Sequence, residues 1–192
     1  MKAKILPRCF YERDTARVAQ DLLGKVLIHD TPEGTTSGKI VETEAYLGRE
    51  DPASRASRKR TRLNEIMWSR GGLAFVYVVH AQNLFNVTTE EEGTPGAVLV
   101  RAVEPLGGLE LMRERRGVSG RELTSGPGRL TQAMGITRAQ HGLDLTDPRS
   151  ELKIVEGGSE EFEIGKSHRI GVSRDLEREL RFFIRKNPFV SR

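Results

Sequence analysis

Apolar positions along the chain recur at two different spacings, and the spacing decides where helices and strands are expected. Behind Asp14, a side chain suited to capping, the pairs Val18/Leu22 and Ala19/Leu23 recur every four residues, which predicts a helix stopped at Gly24. Beyond it the period drops to two. Residues 25–29 read as a strand, 31–38 as a turn region and 39–47 as the returning strand of a hairpin. Side chains alternate across such a strand, so Ile40, Glu42, Glu44 and Tyr46 are expected on one side and Val41, Thr43, Ala45 and Leu47 on the other. A carboxylate and an aromatic ring then point the same way, two residues apart.

The middle of the chain is strand-rich by the same reading, with strands at 73–79, 84–89 and 97–103 and a turn marked by Gly93, Pro95 and Gly96. A helix is predicted at 109–116, ended by Gly117, and another begins around Pro127 and runs toward Gly135. The tail returns to strands near 152–155, 169–172 and 180–185, with Asn187-Pro188 as a turn; no repeat or low-complexity tract interrupts the pattern. With 192 residues, 36% of them apolar, the chain has enough material for one well-buried core. The expectation is a single domain over residues 1–192.

Charge refines this picture. The formal net charge is +4, and residues 49–70 hold seven basic side chains (Arg49, Arg55, Arg58, Lys59, Arg60, Arg62, Arg70) against three acidic ones (Glu50, Asp51, Glu65). The surplus of the whole protein thus sits in one segment, which reads either as a solvated loop or as a strip that meets a polyanion. The single cysteine, Cys9, excludes an internal disulfide framework, and no Cys-x-x-Cys or His-x-x-x-His spacing offers a zinc site. Neither a secretion signal nor a membrane-spanning apolar run is evident, so a cytoplasmic protein is expected.

Familiar chemical motifs are missing. Gly165-Lys166-Ser167 has the end of a phosphate loop, but the required earlier glycine is Glu160. No G-x-G-x-x-G or G-x-S-x-G occurs, and His29, His80, His141 and His168 are scattered. What remains is Glu44 beside Tyr46, followed by the basic segment, with Arg101 inside an otherwise apolar strand. Each alone is an ordinary sheet residue. Together they suggest a site, because an aromatic ring stacks on a base, a carboxylate activates water and a buried arginine holds anionic groups.

The words of the sequence carry this further. Gly38-Lys39-Ile40-Val41-Glu42-Thr43-Glu44-Ala45-Tyr46-Leu47-Gly48, followed by Glu50-Asp51-Pro52-Ala53-Ser54, resembles the alkyladenine DNA glycosylase family, the mammalian-type 3-methyladenine DNA glycosylases also widespread in bacteria. Ala97-Val98-Leu99-Val100-Arg101-Ala102-Val103-Glu104-Pro105, Ser125-Gly126-Pro127-Gly128-Arg129-Leu130, and Leu180-Arg181-Phe182-Phe183-Ile184 with Asn187-Pro188-Phe189-Val190-Ser191 are similar to its later signatures, in order.

The resemblance implies an α/β (α+β) fold: one compact domain with a curved, mainly antiparallel sheet, flanking helices and a protruding hairpin. It implies a monofunctional DNA glycosylase of base excision repair that works without cofactor or metal. Its partner would be double-stranded DNA containing damaged purines, bound by a monomer, with nucleoid association in a prokaryote. Glu44 matches the general base and Arg101 an arginine near the attacking water. Tyr46 and Tyr77 match rings that sandwich a flipped base, and Asn86 matches an asparagine at the pocket floor.

Three departures stand out. Arg55 replaces the family's usual histidine; it donates hydrogen bonds but cannot accept them, so a contact to a purine 6-oxo group survives while one to a 6-amino group does not. His80 stands where a tyrosine usually wedges into the duplex, with Leu84 or Phe85 as possible helpers. The stretch from His80 to Asn86 is one residue shorter than the pattern, which bears on the register of Asn86. Among lesions, cationic N3- or N7-alkylated purines are expected to leave most easily, while hypoxanthine or an etheno adduct needs protonation. The alternative is a non-catalytic module of the same fold that binds damaged DNA.

Overall fold

The fold is organised around one long strand, as a computed structural model describing residues 4–191 shows. Strand β2 (Gly34–Tyr46) is hydrogen-bonded along both edges. On one edge β1 (Val26–Thr31) accompanies its first half, from Thr31 opposite Gly34 to Val26 opposite Lys39. There β8 (Arg181–Ile184) takes over, opposite Glu42, Thr43 and Glu44. The other edge pairs with β5 (Ala97–Gly107). Beyond β5 lie β4 (Gln82–Thr88) and β3 (Ala74–Val79); beyond β1 lies β6 (Leu152–Val155), and β7 (Ile164–Ser167) pairs with β8. Among the described residues all eight strands pair antiparallel in one curled sheet, with β1 and β8 following the same edge of β2 at different points.

Helices close the sheet's inner face. In α2 (Thr15–Asp21) the Asp14 carboxylate accepts from the Arg17 amide at 2.8 Å, the cap the sequence predicts. Its buried face, Val18 and Ala19, lies on β2, where the Thr43 hydroxyl donates to the Ala19 carbonyl at 2.7 Å. Helix α3 (Leu109–Arg116) ends at Gly117 and α4 (Pro127–Met134) at Gly135, both glycines in the left-handed region that such stops require. Leu22, Leu27, Phe85, Val98, Val100, Leu130 and Ile154 fill the core between these layers.

Three expectations change. The turn region 31–38 shrinks to Pro32 and Glu33, because Thr35, Thr36 and Ser37 continue the ladder opposite β1. Strand β5 runs on past Val103 to Gly107, opposite the first half of β2. Residues 169–172 form a loop and not a strand: β7 has already filled the free edge of β8, and Arg169 is drawn instead to Asp51 and Asp175. The four-residue helix α1 (Arg8–Tyr11) is too short to leave a period in the sequence. Among the described residues no helix is long and apolar enough to cross a membrane.

Candidate active site

Two irregularities in the β2–β5 pairing set the site. Ile40 lies opposite Val103, Glu42 opposite Ala102 and Thr43 opposite Val100, so Val41 and Arg101 are each left over. Such bulges re-aim side chains. One lets Ile40 and Val41 both enter the core, so the alternation expected of β2 holds only from Glu42 onward. The other puts Arg101 beside the two glutamates of β2.

Glu44 is completely buried. One carboxylate oxygen accepts from the Ile170 amide at 2.7 Å; the other accepts from the Tyr46 hydroxyl at 2.8 Å and lies 3.3 Å from Arg101 Nη1. Burial pushes its carboxyl above the usual carboxylate range, and Arg101, the Ile170 amide and the Tyr46 hydroxyl pull against that rise. A carboxylate has about four acceptor positions, so these three partners leave one unfilled. The phenol of Tyr46 is itself pushed far up, by burial and by the neighbouring Glu44 charge, and remains a donor.

Arg101 is held from the other side by Glu42, which is also completely buried. Arg101 Nε donates to Glu42 Oε1 at 2.9 Å, as does Arg181 Nε at 2.7 Å. The Ser191 amide and hydroxyl donate to the same carboxylate at 2.6 and 2.8 Å. Burial opposes the charge of Arg101, but Glu44 and Glu42 outweigh it and hold the guanidinium protonated.

The chain leaving β2 is fastened by Asp51. Its carboxylate accepts from the amides of Leu47 and Ala53 and takes a two-pronged ion pair from Arg169 at 2.6 and 2.7 Å. The Arg169 guanidinium also covers the Tyr46 ring, 4.7 Å from its centre. Ser54 then caps a single 3-10 turn, Arg55–Ser57, and the Asn64 side chain holds the Arg55 carbonyl at 2.9 Å. Ala56, Ile66, Met67 and Trp68 anchor this basic segment on Phe75 and Tyr77 of β3, leaving Arg58, Lys59, Arg60 and Arg62 exposed. The segment is therefore an anchored strip with a cationic crest.

These parts enclose a cleft of about 360 Å³, walled by Tyr46, Arg55, Tyr77, Leu84, Arg101 and the loop residues Ile170–Val172. Glu44 lies beneath this wall, touching Tyr46 and Arg101. The guanidinium of Arg55 sits 4.1 Å from the centre of the Tyr77 ring. Burial raises the Tyr77 phenol, with Arg55 and Asn86 opposing.

Asn86 is buried beside Tyr77 and off the cleft surface. It stands opposite Phe75 and Leu99 in register, and its amide donates to the Phe75 carbonyl at 3.1 Å. His80 is apart from the cleft, exposed at the two-residue tip of the β3–β4 hairpin. Leu84 lines the cleft, whereas Phe85 is locked in the core and cannot assist at the tip. Among the described residues no cluster of three or more His, Cys, Asp or Glu side chains could hold a metal ion.

Sequence reading overlooks Glu42, Asp51, Arg169, Ile170, Arg181 and Ser191 as parts of this site. Glu42 carries a signal, since it shares a strand face with Glu44. Arg169 and Arg181 carry none, for a surface arginine and a buried one look alike in a sequence.

Comparison with known proteins covers nearly the whole chain. Residues 9–188 match the family model described as Methylpurine-DNA glycosylase (MPG). A protein of Oceanobacillus iheyensis named "Putative 3-methyladenine DNA glycosylase" is 44% identical over 192 residues, covering 97% of this chain and 96% of its own length. Proteins of the same name from Methanoculleus marisnigri and Bacillus subtilis are 44% and 42% identical, each over 97% of this chain and over 98% and 96% of their own lengths. With a family model that takes in every residue of the cleft, and relatives matched almost end to end, the chain belongs to the methylpurine-DNA glycosylase family and is a DNA glycosylase, a hydrolase.

Proposed function

We propose that this glycosylase acts as one domain, in monomeric form, on alkylated or deaminated purines flipped out of double-stranded DNA. The observation that carries the reading is the buried Glu44 carboxylate, hydrogen-bonded by Tyr46 and Ile170 and facing Arg101. A carboxylate so placed orients a water and takes its proton. The water oxygen bonds to the anomeric carbon of the deoxyribose as the bond to the base nitrogen breaks. The base leaves with the bonding electron pair, and the proton held by Glu44 balances the products, a free base and an abasic site. No lysine enters this scheme, so strand cleavage is not expected.

Tyr46 and Tyr77 supply stacking surface for the extrahelical base, which offsets the stacking it loses in the helix. Arg101 steadies the Glu44 charge and the water. The exposed Arg58, Lys59, Arg60 and Arg62 contact phosphates, and His80 at the hairpin tip fills the gap left in the duplex. Asn86 acts from beneath, by fixing the Tyr77 side of the cleft.

Single-turnover release of 7-methylguanine, 3-methyladenine, hypoxanthine and ethenoadenine from duplexes tests the scheme. The wild type is expected to release at least one of these bases. Glu44→Gln is expected to slow release by about 100-fold or more while still binding the duplex. Binding by the wild type without release from any duplex would instead favour capture of damaged DNA without chemistry.

A further inference from the structure

Of the three arginines that touch the cleft's aromatic and acidic groups, two are neutralised and one is not. Arg101 faces Glu42 and Glu44, and Arg169 faces Asp51 and Asp175. Arg55 has no carboxylate within ion-pair distance among the described residues, and its Nε is buried with no hydrogen-bond acceptor. It is nevertheless fixed, at the start of a capped 3-10 turn with its carbonyl held by Asn64 and its guanidinium against the Tyr77 ring. Arg58, on the same wall, adds charge of the same sign.

A buried donor without an acceptor is costly, and a half-buried cation offset only by the face of the Tyr77 ring also carries a cost. Both costs fall when the cleft receives a ligand that brings an acceptor and no positive charge. We infer that Arg55 is a specificity-determining residue that favours neutral 6-oxopurines, the products of purine deamination, over cationic N-alkylated purines. This rests on the proposed glycosylase mechanism and names the lesion class within it.

The argument follows from the chemistry of each base. A guanidinium only donates, so a 6-oxo oxygen satisfies it and a 6-amino group does not. A purine alkylated at N3 or N7 carries a full positive charge, which the Arg55 cation repels from the ring on which it must stack. The alkylated base is still the better leaving group, so chemistry and recognition act in opposite directions. The signature of Arg55 is therefore a change in relative rates on substitution, not an absolute order of rates.

Four lesions separate the two properties. Hypoxanthine is neutral with a 6-oxo group, 7-methylguanine is cationic with one, 3-methyladenine is cationic with a 6-amino group, and ethenoadenine is neutral with no exocyclic oxygen. Single-turnover release from each is measured for the wild type, for Arg55→Gln, which keeps donors and removes charge, and for Arg55→Lys, which keeps charge. Arg55→Gln is expected to raise the 3-methyladenine to hypoxanthine rate ratio by about tenfold or more, since full charges a few ångströms apart in a protein differ by over a decade in equilibrium terms. Arg55→Lys is expected to stay within about threefold of the wild type, because it retains the charge.

A ratio left unchanged by Arg55→Gln overturns the inference, as does an equal slowing of all four lesions, which would make Arg55 a phosphate contact. These outcomes leave the glycosylase mechanism standing. Absence of release of any base by the wild type overturns both.

Discussion

Glu42 and Glu44, two residues apart on β2, share one guanidinium: Arg101 donates to Glu42 at 2.9 Å and lies 3.3 Å from Glu44. The glutamates are not equivalent. Glu42 is saturated by Arg101, Arg181 and both donors of Ser191, whereas Glu44 keeps an acceptor position. One carboxylate thus fixes the counterion and the other is available for chemistry. The C-terminal segment, through Ser191, takes part in tuning a group on the opposite side of Arg101.

The first prediction concerns pH. The proposed base must be ionised, and burial holds the Glu44 carboxyl above its ordinary range, so release of a cationic base, which needs no protonation to leave, rises with pH along a limb lying above that range. Tyr46→Phe removes one opposing hydrogen bond while keeping the ring. Arg101→Gln removes the largest opposing influence. Both move the limb to higher pH, Arg101→Gln further, and each pH unit of displacement slows release about tenfold at fixed low pH. Rate profiles between pH 5 and pH 9 on a 7-methylguanine duplex measure this; a limb unmoved in both variants would mean that another group controls it.

The same burial makes a prediction for stability. Folded Glu44 keeps its proton to a higher pH than unfolded Glu44, so between those two values the folded state binds more protons, and stability falls as pH rises. Glu44→Gln has no such proton to lose. Its melting temperature relative to wild type should therefore be higher at pH 7.5 than at pH 4.5, by about 2–4 °C for each kcal/mol recovered. Calorimetry at the two pH values checks it, and a constant difference between the proteins would contradict it.

How much of this is legible in the sequence depends on the distance over which each residue finds its partner. Helix α2 has a cap three residues from the amide that donates to it, and α3 and α4 end on glycines that only a left-handed stop requires, so local reading finds them. The alternation of Glu42, Glu44 and Tyr46 is equally local. The bulge that brings Arg101 to the glutamates depends on pairing with another strand, and the Arg169 and Ser191 contacts span 118 and 149 residues. Residues 169–172 read as a strand because Ile170 and Val172 alternate with small or polar neighbours; side-chain ties to Asp51 and Asp175 decide otherwise. Tyr77 and Arg55 stand out through family resemblance, not through any periodicity.

Asp51 and Arg169 supply a prediction that links stability to the site. Both side chains are completely buried, and removing Asp51 leaves Arg169 with Asp175 as its remaining carboxylate and the Leu47 and Ala53 amides without their acceptor. Asp51→Ala should destabilise the protein by about 3–5 kcal/mol. Arg169→Met in the same chain should add less loss than it causes alone, because the ion pair to Asp51 is already broken and only the pair to Asp175 is left to lose. Since Arg169 adjoins Ile170, whose amide binds Glu44, both variants should also slow base release at temperatures where they remain folded. Denaturant titration of the single and double variants measures the coupling, and strictly additive losses would show that the pair is not a unit.

The hairpin tip allows stability to be separated from flipping. His80 and Ala81 both have positive φ, 47° and 63°, the conformation of a two-residue turn that favours glycine or asparagine. A side chain kept there at local expense suggests a use beyond the turn. His80→Gly relieves the left-handed strain but adds freedom to the unfolded chain, so stability should change by no more than about 1 kcal/mol. If the imidazole fills the gap left by an extruded base, release from a paired duplex should fall by about tenfold or more, the scale on which loss of a few kcal/mol of inserted contact is felt. Release from single-stranded DNA, where no gap needs filling, should be unaffected. Equal losses on both substrates would place the role of His80 in binding the backbone and leave the duplex gap to Leu84 or to no protein side chain.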